Sequence, residues 1–393
     1  MFLKHKLFPI PTVPRADGSL CCSNTSFVSR RRRLAVVLDA RVTAYARLLV
    51  ERCIDPQPGW QVLVATTTEA RPVAQELSRL LAERGAYALT RIAFGGAFPT
   101  DLDWIAAAPA DLAATLPPLE RHVLEQVDGT IFVLAPERDS PRLDDGGARA
   151  FRAHVSAYRD RGRSGEIPSV RCDFPCAAYA ERAGLTLAEF ENVFYEACLR
   201  DWDEEGRRME PVCERLDAAR EVRIVGEGTD LRLSLEGRSA LVDDGHLNVP
   251  GGEVFTSPVE DSLEGEILFD VPSHSTDGLV EAIRLRFEQG EVVEASAATG
   301  EPALLRALGT DAGARYVGEF GIGCNAGITR PMRNVLFDEK MSGTIHLALG
   351  AGFPQLGGRN ESTLHWDLIK DLRRGGELQL DGEVVQRDDE SLW

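Results

Sequence analysis

A chain of 393 residues with 44% hydrophobic side chains is long enough to fill two cores. Its formal net charge of −18 at pH 7 argues against nucleic acid as a partner, because phosphate binding needs a basic face. No apolar run approaches the ~18 residues of a membrane helix, so no membrane partner is expected, and the acid-rich surface fits a cytoplasmic protein.

Residues 1–33 are rich in Pro, Ser and basic side chains and show neither helical nor strand period. Arg30 to Arg33 are similar to a twin-arginine export signal. Only Leu34 to Leu38 follow before Asp39, short of a signal core of about 7–15 apolar residues. A disordered extension, or a start site assigned too early, is the expectation.

From Leu34 to Arg220 helices alternate with strands. Asp39 to Ile54 predicts an amphipathic helix with Val42, Ala46, Leu49 and Val50 on one side. Gly59 to Thr66 reads as a buried strand, and Thr68 to Gly85 as a helix closed by its glycine. Ala86 to Phe94 and Gly129 to Pro136 read as further strands. This alternation predicts an α/β domain built on a parallel sheet. The Gly95-Gly96-Ala97-Phe98 stretch lacks the G-x-G-x-x-G pattern of a dinucleotide site and reads as a plain turn. Leu187 to Trp202 predicts one amphipathic helix, with charged residues running on to Arg220 and linking the two halves.

From Glu221 the chain changes to short alternating strands separated by Asp-Gly, Gly-Gly and Gln-Gly turns. The expected organisation is an extension at 1–33, an α/β domain at 34–220, and an α+β catalytic domain at 221–393 rich in antiparallel strands. Eight cysteines are scattered, and Cys172 and Cys176 have no second pair to close a zinc site. They read as free thiols of a reducing compartment. Cys324 could serve as a nucleophile, but a small buried filler is the preferred reading.

The chemistry concentrates in the second half. In GTIHLALG, alternation sends Ile345, Leu347 and Leu349 to one face and Thr344, His346 and Ala348 to the other, leaving the imidazole among small neighbours. In STLHWDLI, His365 and Asp367 would point about 200° apart on a helix but share one face of a strand. Glu253 follows a Gly pair, and Glu319 sits among Gly318, Gly321 and Gly323. A carboxylate buried in such a run needs a cation, for which Arg315 is one candidate. Glu253, Glu319, His346, His365 and Asp367 together form a donor set of oxygen and imidazole suited to zinc, cobalt, manganese or iron(II).

The strings GEVFTSPVEDSLEG, GEFGIGCNAGI, LFDEKMSGTIHLALG and NESTLHWDLIKDLR resemble the blocks of the thermophilic-type metallo-aminopeptidases, the aminopeptidase T and aminopeptidase S family. The resemblance runs from about Leu34 to the C-terminus and is most specific in the second half. It implies two divalent metal ions (Zn, Co or Mn) on those five residues, with Glu319 as the bridging carboxylate. It also implies peptide substrates with a free N-terminus and a homodimer. The family usually has tyrosine seven residues after the first histidine, where this chain has Phe353.

Two ions held by three carboxylates and two neutral imidazoles would leave residual positive charge, which favours hydroxide at neutral pH. Glu339, in FDEK, is the first choice for moving protons; pairing with Lys340 is its plainer alternative. Glu260 and Asp261 are weaker candidates, His246 and His274 possible further ligands, and Asn360 a possible orienting group. A mononuclear non-haem iron ring-cleaving dioxygenase of the dihydroxypyridine type is the alternative, because His346, His365 and Asp367 have the composition of an iron facial triad. A non-hydrolytic binding protein is the third reading, kept open by Phe353.

Overall fold

The computed structural model describes residues 39–95, 99–137, 143–275 and 278–392. The 1–33 extension and residues 96–98 of the glycine turn lie outside them. Helix Ala40–Leu48 starts where the Asp39 carboxylate accepts the Arg41 N–H, and it continues as a π-helix over Leu49–Ile54. Its buried Val42, Ala46, Leu49 and Val50 are the stripe the periodicity predicts.

Strands β1 (Gln61–Thr67), β2 (Tyr87–Ala93), β3 (Gly129–Leu134) and β4 (Ser169–Asp173) pair in parallel in the order β2-β1-β3-β4. β1 and β3 are buried along nearly their whole length, as central strands of a parallel sheet covered on both faces must be.

The single helix predicted over Leu187 to Trp202 is two. Leu187–Cys198 opens on a capping box made by Thr186 and Glu189. The backbone leaves the helical region at Leu199, and Asp201 caps a second helix, Trp202–Ala218. Asp203, Glu204 and Glu205 in its first turn favour a new N-terminus there.

Strands β5 (Glu221–Gly226), β6 (Thr229–Ser234), β7 (Ala240–Asp243), β8 (Asn248–Val249) and β9 (Glu253–Thr256) follow. β8 pairs in parallel with β4, so the second half of the chain supplies the fifth strand of the first sheet. β10 (Glu264–Phe269), β11 (Ser273–Ser275), β12 (Gly278–Val280), β13 (Ile283–Glu288) and β14 (Glu291–Ser296) come next. The chain ends with β15 (Val317–Gly323), β16 (Thr344–Gly350), β17 (His365–Asp371), β18 (Glu377–Leu380), β19 (Glu383–Arg387) and β20 (Glu390–Ser391). The Gln289-Gly290 and Asp381-Gly382 hairpins take positive φ at both central residues, as their sequences predict.

Two antiparallel sheets dominate this half. One has eight strands, in the order β14-β13-β10-β6-β5-β18-β19-β20; the other has five, in the order β17-β16-β15-β9-β7. They share a core in which Val254, Phe320, Ile345, Leu347, Leu349 and Leu368 meet Ile224, Leu231, Ile267, Leu285 and Phe287. The alternation of side chains along a strand then turns the residues between these to the opposite face of the five-stranded sheet. No helix among the described residues is long and apolar enough to cross a membrane.

Candidate metal centre

All five sequence-predicted donors lie on that opposite face, on four adjacent strands. Glu253 is on β9, Glu319 on β15, His346 on β16, and His365 and Asp367 on β17. On one side the ladder pairs each with a residue of little or no side chain, while on the other Glu253 meets Asp243 and His346 meets Ile369. Glu253 faces Gly323, His346 faces Gly321, His365 faces Gly350, and both Glu319 and Asp367 face Ala348. Small residues opposite large polar ones leave room on the sheet face for those side chains.

The donors form two groups that share one member. Glu253, Glu319 and His346 make the first, Glu319, His365 and Asp367 the second. Oε1 of Glu319 lies 3.4 Å from Nε2 of His346, whereas its Oε2 lies 3.3 Å from Nε2 of His365. Oε2 of Glu253 is 3.5 Å from Nε2 of His346, and Oδ1 of Asp367 is 3.7 Å from Nε2 of His365. These separations are long for direct hydrogen bonds. They are close to the ~3.4 Å expected between two donors that each stand about 2.1 Å from a tetrahedral ion. Oε2 of Glu253 is buried with no hydrogen-bond partner, which is costly unless a cation neutralises it. The donor set therefore fits divalent metal.

Each imidazole is oriented from behind. Nδ1 of His346 donates to the Glu339 carbonyl at 3.0 Å, and Nδ1 of His365 to the Ala351 carbonyl at 3.1 Å, leaving both Nε2 atoms turned to the carboxylates. Asn360, expected as a possible orienting side chain, instead donates to the Gly313 carbonyl. Backbone carbonyls can orient the ring from any sequence, so no residue type marks them beforehand.

Lys340 was not among the expected site residues. It is fully buried, and its Nζ bonds Glu253 Oε1 at 2.7 Å and Glu339 Oε1 at 2.6 Å, with Asp243 Oδ2 3.9 Å away. It neutralises Glu253 and Glu339; Arg315, the cation expected beside Glu319, instead donates to the Val292 carbonyl, and Glu319 faces His346 and His365. The sequence signal was the Glu-Lys pair that follows Leu336, Phe337 and Asp338, where a surface pair is the ordinary reading. Glu339 is buried as well and lies beside the donor set.

Without metal the charges hold one another. Burial alone would raise the Glu319 carboxyl, but the two imidazoles, His346 and His365, facing its two oxygens outweigh it and hold it at about 2. Burial would lower the imidazoles; their carboxylate neighbours raise His346 to about 10 and His365 to about 9. Burial pushes Glu253 up to about 8 and Asp367 up to about 6.

The remaining candidates fall elsewhere. Glu260 is paired with Arg238 and caps the Arg359 N–H, while Asp261 is exposed. His246 is paired with Asp244 near the surface, and burial lowers His274 to about 4. Burial pushes the Cys324 thiol up to about 12, the behaviour of an inert filler. Phe353 does reach the site. Its ring meets His365 edge-on, centroids 5.7 Å apart, and also packs on Phe255.

Buried oxygen and imidazole donors clustered on one face of an antiparallel sheet are the equipment of an enzyme that works with divalent metal. The model of the thermophilic metalloprotease (M29) family matches residues 38–384, and the chain belongs to that family. It is 25% identical over 362 residues to Aminopeptidase 2 of Geobacillus stearothermophilus, covering 79% of this chain and 83% of that one. Aminopeptidase T of Thermus thermophilus is 32% identical over 196 residues, 42% of this chain and 47% of that one. The solved structure of wild-type AmpT from Thermus thermophilus superposes with a TM-score of 0.76 at 23% identity, covering 90% of this chain and 99% of that one. The protein is a metallo-aminopeptidase, a hydrolase that takes peptides as its substrates. The dioxygenase alternative is set aside, because His346 falls in one donor group and His365 with Asp367 in the other.

Proposed function

We propose that this enzyme releases N-terminal residues from peptides at a dinuclear centre, with Glu253, Glu319 and His346 on one ion and Glu319, His365 and Asp367 on the other. The observation that carries this reading is the division of Glu319, whose two oxygens face different imidazoles. Charge supports it too. With both imidazoles neutral and the carboxylates ionised, as ligation requires, buried Glu253, Glu319, Asp367, Glu339 and Asp243 with the Lys340 ammonium leave a surplus of four negative charges, which two divalent cations would neutralise. Counting Lys340, Asp243 and Glu339 replaces the net positive site expected from the five donors alone.

Divalent metal held by these residues would supply hydroxide at neutral pH and polarise the scissile carbonyl. The protein contributes the rest. Glu319 spaces the two donor groups, and the backbone carbonyls of Glu339 and Ala351 fix both imidazole tautomers. Glu339, held at Oε1 by Lys340, is placed to carry a proton between water and the leaving amine. His365 is the exposed member of the set, its side chain 32% accessible, so substrate enters from the second donor group. The ring of Phe353 against His365 lines that entry. The division into an α/β half at 34–220 and a catalytic half at 221–393 belongs to the same reading, as do a homodimer and a cytoplasmic setting. Family resemblance supports the dimer, and the acidic composition supports the compartment.

The test is release of amino acid from aminoacyl p-nitroanilides and free-amine dipeptides by metal-stripped enzyme re-loaded with Co²⁺, Zn²⁺ or Mn²⁺, with bound metal counted. Activity that returns with about two ions per chain supports the reading. Full activity at one ion, or equal cleavage of N-acetylated peptides, would sink it.

A further inference from the structure

A buried ammonium persists only beside anions, and Lys340 has three within Coulomb reach. Its bonds are specific as well as neutralising. Nζ takes Oε1 of Glu253, and the remaining oxygen, Oε2, is the one that faces Nε2 of His346. Nζ also takes Oε1 of Glu339. The next atoms along the chain are equally engaged: the Glu339 carbonyl receives Nδ1 of His346, and the Lys340 carbonyl receives the N–H of buried Asn325 at 2.8 Å. Glu339 and Lys340 thus hold Glu253 on β9, the His346 ring on β16 and the Glu339 carboxylate itself.

We propose that Lys340 is a positioning residue of the metal centre, holding Glu253 to ligation through Oε2 alone and fixing Glu339 at the same nitrogen. An ammonium serving only to balance charge could sit anywhere within a few ångströms. One that donates to a chosen oxygen of each carboxylate sets which lone pairs remain for an ion. The inference rests on the reading of the five donors as a metal centre.

The experiment compares wild type, Lys340→Met and Glu339→Gln after loading with Co²⁺, reading bound metal, the visible d–d absorption, and kcat and KM on an aminoacyl p-nitroanilide. In Lys340→Met the freed Oε1 lets Glu253 chelate through both oxygens, so the coordination number rises and the absorption weakens. kcat then falls about 10–100-fold, the usual cost of losing an outer-shell partner, while KM holds. Glu339→Gln keeps the wild-type spectrum, because Lys340 still holds Glu253, and loses turnover. A Lys340→Met enzyme with wild-type spectrum and kcat would overturn the proposal and leave Lys340 as a structural charge. If that variant does not fold, a crystal structure of the Co²⁺-loaded wild type decides. Nζ on Oε1 with Oε2 alone on the ion supports the assignment, and two-oxygen chelation by Glu253 overturns it. Failure of the wild type to take up Co²⁺ would instead strike the metal-centre reading itself.

Discussion

Gly321 stands directly across the β15–β16 ladder from His346, and a β-carbon there would fall on the imidazole ring. The glycine is therefore what admits the histidine to the sheet face. Gly321→Ala should displace the ring from its bond to the Glu339 carbonyl and weaken metal binding about 10–100-fold. Overpacking should also cost roughly 1–3 kcal/mol of stability. Calorimetric metal titration alongside thermal unfolding checks this; wild-type affinity in the variant would show that the ring can step aside.

Glu319 belongs to both donor groups, Glu253 and Asp367 to one each. Glu319→Gln should lose metal from both, whereas Glu253→Gln and Asp367→Asn should each retain one ion of the two. Elemental analysis of dialysed protein distinguishes them. Equal metal content in all three variants would contradict the shared-ligand arrangement.

Metal must displace protons from this site. In the metal-free protein His346 and His365 titrate at about 10 and 9, and Glu253 at about 8, so all three carry protons at pH 7. Loading at pH 7 should release about two protons or more per chain, and affinity should climb with pH until about 10. Calorimetry in buffers of different ionisation enthalpy gives the count. The sign for metal-free stability is opposite. Groups raised above their unfolded values bind extra protons in the folded state, so that stability is present at low pH and lost as pH rises through these values. Glu319, held near 2, adds stability that is lost only as pH falls below about 4. The metal-free melting temperature should therefore drop between about pH 7 and 10, and bound metal should abolish most of that drop.

The Phe353 ring packs edge-to-face with His365, at the position where the resemblance read from the sequence implies a phenol. Restoring the hydroxyl in Phe353→Tyr should leave metal content unchanged and raise kcat about tenfold or more, within the range of a well-placed proton donor. Unchanged kcat would mean that this chain's chemistry is complete without it.

Much of this protein was legible in its sequence because period and chemistry are local. The run GTIHLALG alternates, so Ile345, Leu347 and Leu349 had to enter the core and His346 the other face. The spacing of His365 and Asp367 put both on one side of a strand for the same reason. Family resemblance implied the five as one donor set, and their division into two overlapping groups appears only in the structure. The helix predicted over Leu187 to Trp202 went astray at Leu199 because its periodicity continues while Asp201 caps a new N-terminus.

What the sequence could not decide was everything set by distance across the fold. Lys340 follows Glu339 in the chain, yet its place under Glu253, 87 positions away, exists only once β9 and the segment before β16 are packed together. Arg315 was nearer Glu319 in sequence and is bonded elsewhere. Burial makes the difference: an ammonium in water is indifferent to its neighbours, while one without solvent must take specific oxygens. The residues and their strand faces follow from local pattern; which oxygen each carboxylate leaves free for a metal is decided by the tertiary structure alone.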